Sequence, residues 1–109
     1  MSKRLEKNKH LLRFLLEDDA CILKKKQIFR TLTDNQLMVI CEIIQNILQG
    51  VIDLPSNKLA FIRKHKQILR KIVSKTNSKR EKKKNISRKF RIIISILRLI
   101  KRKLFTFLK

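Results

Sequence analysis

Thr33-Asp34-Asn35-Gln36-Leu37-Met38-Val39-Ile40-Cys41-Glu42-Ile43-Ile44-Gln45-Asn46-Ile47-Leu48-Gln49-Gly50 reads as one helix with both of its ends marked. Thr33 and Gln36 have the Thr-x-x-Gln spacing of a capping box, in which each side chain satisfies the other residue's backbone N–H. Gly50 stands where a helix takes its left-handed C-terminal residue. Between them Leu37, Val39, Ile40, Ile43, Ile44 and Ile47 leave hardly any polar face, so the spacing predicts a helix over 34–49 buried at the centre of a bundle.

The flanking segments follow the same helical period. Leu5, Leu12, Leu15 and Leu16 lie at helical intervals over 3–16. Asp18 and Asp19 are suited to end that helix and cap the next, which carries Ile22, Ile28, Phe29 and Leu32. Downstream, Pro55 fits the first position of a helix over 55–75. Phe61, Ile62, Ile68, Leu69, Ile72 and Val73 make its apolar face, with Arg63, Lys64, Arg70, Lys71 and Lys75 mainly away from it. Ser78-Lys79-Arg80-Glu81 has the form of a second capping box, which predicts a last helix from Ser78 to about Phe107. Its apolar stripe is Ile86, Phe90, Ile93, Leu97, Ile100, Leu104 and Leu108.

One glycine and one proline in 109 residues leave too little turn punctuation for hairpins. The expected fold is all-α. A bundle of about four helices fills residues 1–75, and a long basic amphipathic helix over 76–109 projects from it as an extension. A hydrophobic fraction of 43% is that of a folded chain. The length allows a single core.

Charge separates the two halves. Residues 1–54 hold nine basic and seven acidic residues, whereas residues 55–109 hold 20 basic and a single acid, Glu81. The halves therefore carry +2 and +19 of the total +21. A merely solvated surface mixes its signs, because charges of one sign repel. An excess of this size calls for a polyanion. Lys and Arg release condensed counterions when they neutralise phosphates, which favours binding to any nucleic-acid sequence. The residues expected to make those contacts are Arg63, Lys64, Arg70, Lys71, Lys75, Lys79, Arg80, Lys82, Lys83, Lys84, Arg88, Lys89 and Arg91. Lysine dominates 79–84 and acts as a point charge without fork geometry, which suits contact with phosphates and not with base edges. Six Phe and no Trp or Tyr supply few platforms for single-strand stacking.

No catalytic constellation accompanies this charge, and the chain reads as a non-enzyme without cofactor or metal. His10 and His65 sit among lysines, Glu17, Asp18 and Asp19 read as helix-end residues, and one glycine cannot build a phosphate loop. Cys21 and Cys41 fit no metal-ligand spacing and read as free thiols, which with the polar N-terminus points to an intracellular protein. The Lys79–Lys84 run also has the composition of a nuclear-import signal. A rival reading starts from the stripe over 86–108. A basic helix with one apolar face suits an anionic membrane surface or a second copy of the chain.

With Met1-Ser2-Lys3-Arg4-Leu5, Cys41-Glu42-Ile43, Asn46-Ile47-Leu48, Gly50, Leu54-Pro55 and the Lys79–Lys84 run in view, the chain resembles the small basic proteins of Maverick/Polinton elements and adintoviruses. These have been likened to the DNA-condensing core proteins of adenoviruses. The resemblance covers about residues 1–90. It implies a virion or mobile-element core protein that packages double-stranded DNA, working in the host nucleus or the virion interior. The charges alone do not separate DNA from RNA; the resemblance favours DNA.

Overall fold

Thr33 opens the central helix as the sequence predicts. Its Oγ1 accepts from the Gln36 N–H at 3.1 Å, and Gln36 Oε1 accepts from the Thr33 N–H at 3.0 Å. The helix, α4, spans Asp34–Leu48. At its far end Gly50 has φ 73°. The Gly50 N–H donates to the Ile47 carbonyl and the Val51 N–H to the Asn46 carbonyl, the paired bonds of a Schellman turn. Leu37, Val39, Ile40, Ile43 and Ile44 are fully buried.

The computed structural model describes residues 3–17 and 21–107. Among the described residues it is all-helical: α1 (Lys3–Lys7), α2 (Lys9–Leu16), α3 (Ile22–Arg30), α4, α5 (Ser56–Lys64), α6 (Lys66–Val73), α7 (Lys79–Arg88), α8 (Phe90–Leu99) and α9 (Lys101–Phe107). Asp18 and Asp19 lie outside the described residues, and Cys21 is the residue that precedes α3.

Among the described residues nine helices stand where the spacing predicts about four and a long extension. The difference comes from single-residue breaks. Asn8 divides the first predicted helix, His65 divides the predicted 55–75 helix, and Lys89 and Ile100 divide the last. None of the four is Pro or Gly. They share a backbone conformation, with φ −105° to −108° and ψ 12° to 25°, in the sparsely populated bridge region.

The long C-terminal helix is therefore replaced by three short ones, and the reason is geometric. A straight helix over 79–107 would run about 43 Å at 1.5 Å per residue, while the molecule measures 32 × 30 × 26 Å. Much of the stripe on such a rod would overhang the core. Bent at Lys89 and Ile100, the chain buries Ile86, Phe90, Ile93, Leu97, Ile100 and Leu104 in the same apolar cluster as Leu12, Leu16 and Ile44. Leu108 lies outside the described residues. Helix α7 packs on α3, α4 and α6, and α8 packs on α2.

Two lysines serve the packing itself. Lys25 is buried, and its Nζ donates to the Glu17 carbonyl at 2.5 Å. Lys58 Nζ donates to the Leu99 carbonyl at 3.1 Å. Each places a cation on the carbonyl end of a helix, α2 and α8 respectively, where the dipole is negative.

Candidate nucleic-acid interface

The expected phosphate-binding residues are spread over the ends of α5 and α6, the link after α6, the length of α7, the break at Lys89 and the start of α8. Arg63 and Lys64 occupy the last turn of α5, and Arg70 and Lys71 the last turn of α6. There the unpaired carbonyls favour cations, while the apolar face holds Ile62, Leu69 and Ile72 in the core. All four cations are exposed, as is Lys75 in the link that follows.

Helix α7 has the opposite problem. Lys79 and Arg80 lie at its N-terminal end, where the dipole disfavours positive charge. Two carboxylates offset this. Glu81 is in the first turn, and its N–H is accepted by Ser78 Oγ at 3.2 Å. Asp34 comes from the first turn of α4, with Oδ1 2.8 Å from Lys83 Nζ and Oδ2 3.6 Å from Lys79 Nζ. The hydrogen bond from Lys83, then the charges of Lys83 and Lys79, hold the Asp34 carboxyl below the usual aspartate range. Lys82 and Lys83 are half-buried, and Lys84, Arg88 and Lys89 are exposed.

Arg91, also exposed, lies over the Phe90 ring at 5.5 Å, and Lys26 of α3 approaches the same ring at 6.0 Å. Phe29 adds an aromatic contact at 6.2 Å. Cations over an aromatic face are held in position by its quadrupole. The basic surface thus reaches from α8 onto the nearly neutral N-terminal half.

Some of these residues converge. Lys71, Asn85, Arg88 and Lys89 line a cleft of about 160 Å3 between α6 and α7, floored by Ile68 and Ile72. Lys84 and Glu81 join Lys71, Asn85 and Arg88 around an adjoining hollow. Arg63 belongs elsewhere. With Lys66 it borders a separate, mainly apolar cleft against Ile47, Leu48, Gly50, Leu59 and Ile62.

Sequence reasoning missed Asn85, Lys26 and the role of Asp34. A signal for Asn85 was present, since Glu81, Lys84, Asn85 and Arg88 fall on one face of a helix at three- and four-residue steps. Nothing local marks Lys26 or Asp34, which join the basic surface only through tertiary packing.

The thiols differ. Cys21 is exposed, and the backbone N–H groups of Lys24 and Leu23 lower its pKa. Cys41 is buried, and burial raises its pKa. Among the described residues no group of three His, Cys, Asp or Glu side chains is placed to hold a metal. No helix among them is long and apolar enough to cross a membrane.

Comparison with protein-family models, curated proteins and solved structures finds no match to this chain.

Proposed function

We propose that this protein binds nucleic acid without regard to sequence, double-stranded DNA above RNA, and condenses or packages it. One observation carries the reading. The basic half buries its apolar stripe and turns Arg63, Lys64, Arg70, Lys71, Lys75, Lys79, Arg80, Lys84, Arg88, Lys89 and Arg91 outward. That surface is nearly of one sign, and a polyanion relieves its self-repulsion. A role as a virion or mobile-element core protein, in the host nucleus or the virion interior, is carried by the family resemblance. In this reading the chain acts as a binding protein and not as an enzyme.

A second reading, attachment to an anionic membrane or self-association through 86–109, has less to support it. Ile86, Phe90, Ile93, Leu97, Ile100 and Leu104 fill the core, and using them elsewhere would cost their burial there.

Parallel salt titrations against duplex DNA, RNA and anionic liposomes test the proposal. With about eight phosphates engaged, the log–log slope on duplex DNA is about −7, and unrelated sequences bind alike. Absence of binding to polynucleotides in dilute buffer refutes the proposal. Preference for liposomes with little salt dependence favours the membrane reading.

A further inference from the structure

We infer that the cleft between α6 and α7 is a discrete seat for one phosphate-bearing anion, which inorganic pyrophosphate occupies saturably with no nucleic acid present. The inference deepens the reading above and rests on it for the claim that a backbone phosphodiester uses the same seat.

Three cations line the cleft from separate places: Lys71 at the end of α6, Arg88 in the last turn of α7 and Lys89 at the break; Lys84 stands on the adjoining hollow. Asn85 adds an uncharged amide between them. At the start of α7 the lysines are relieved by Asp34. The residues lining the cleft include no carboxylate, and those lining the adjoining hollow include one, Glu81.

Gathering like charges around an apolar floor is unfavourable by itself and becomes favourable with an anion inside. Low-dielectric walls strengthen that attraction over the one a flat surface offers. Arg88 supplies a planar fork that matches two phosphate oxygens, and the lysines supply point charges. The volume, about 160 Å3, exceeds by an order of magnitude the ~10–15 Å3 that a single water needs. It admits a phosphate group and not a duplex. Glu81 tempers the seat, since its charge on the adjoining hollow opposes an anion in the cleft.

Calorimetric titration of the full chain with inorganic pyrophosphate at fixed ionic strength, beside titration with duplex DNA, tests the inference. Saturable binding is expected. Arg88→Ala with Lys71→Ala weakens pyrophosphate by about tenfold or more, and Glu81→Gln strengthens it about threefold. Lys3→Ala with Lys7→Ala, which removes the same charge from α1, changes it by less than about twofold. The gain in Glu81→Gln cannot come from misfolding, so it decides the matter should the Arg88/Lys71 variant unfold.

Unsaturable binding, or equal losses in the two double variants, overturns the seat. Duplex DNA binding that persists in that event leaves the wider reading standing. Saturable pyrophosphate binding without duplex binding keeps the seat and removes the wider reading.

Discussion

Lys83 Nζ lies 2.8 Å from Asp34 Oδ1, joining the basic helix α7 to the first turn of the buried helix α4. Lys79 approaches the other oxygen of the same carboxylate at 3.6 Å. Asp34 therefore complements the N-terminal dipole of its own helix and occupies two cations proposed to bind phosphate. Removing its charge separates these effects. Asp34→Asn is expected to lower the melting temperature slightly while raising duplex DNA affinity about two- to fivefold at low salt. Thermal melts and binding isotherms on one preparation check both signs.

Acid titration reads the same pair. The Asp34 carboxyl is held below its ordinary value, first by the hydrogen bond from Lys83. A carboxylate whose folded-state pKa is depressed contributes stability that is complete above the unfolded value, about 3.9. That contribution fades as pH falls through the lower folded value. The stability gap between wild type and Asp34→Asn should close over that acid range, and should narrow at neutral pH as salt is added. A gap unchanged down to strongly acid pH counts against the ion pair.

Capping of the central helix is open to direct measurement. Thr33→Ala removes the oxygen that accepts from the Gln36 N–H and is expected to cost about 1 kcal/mol. Ser78→Ala removes the corresponding oxygen at α7. Denaturant midpoints at unchanged m-value report the cost.

Burial of the stripe predicts how the chain unfolds. Ile93 and Leu97 are fully buried, so Ile93→Ala or Leu97→Ala is expected to cost about 2–5 kcal/mol. The cost falls on one cooperative transition, because α8 shares its core with α2 and α4. Leu23, 68% exposed, serves as the contrast, and Leu23→Ala is expected to stay within about 0.5 kcal/mol. Melting of α8 while hydrogen-exchange protection in α4 stays intact would show that the C-terminal helices form a separate unit.

Thiol labelling separates the two cysteines. Cys21 is exposed and its pKa is lowered, whereas Cys41 is buried and its pKa is raised. Under native conditions at neutral pH, one label per chain is expected on Cys21, and a second only after denaturation. Mass spectrometry of the labelled peptides decides it.

The features legible in the sequence are those encoded within a few neighbouring residues. Thr33 and Gln36 are three apart, Gly50 ends its own helix, and the stripe from Ile86 to Leu104 repeats within single turns. Each of these has its structural counterpart. The breaks at Asn8, His65, Lys89 and Ile100 were illegible, because no Pro or Gly marks them. Those at Lys89 and Ile100 answer to the size of the whole molecule, which no local window contains. For the same reason the basic residues could be assigned to helix faces, but not to a shared cleft. That Lys71 and Arg88 line one cleft, and that Lys26 reaches Phe90 from the nearly neutral half, depends on how α6 and α3 pack against α7 and α8.

The bends at Lys89 and Ile100 have a consequence for stoichiometry. Duplex DNA carries one negative charge per about 1.7 Å of axis, so a length equal to the 32 Å long dimension of this molecule carries about 19 charges. The chain brings +21. Protein molecules laid end to end would leave the coated duplex close to electroneutral, the condition in which neighbouring duplexes cease to repel. A longer, unbent molecule with the same charge would space its positive charge too thinly to reach that point in a single layer.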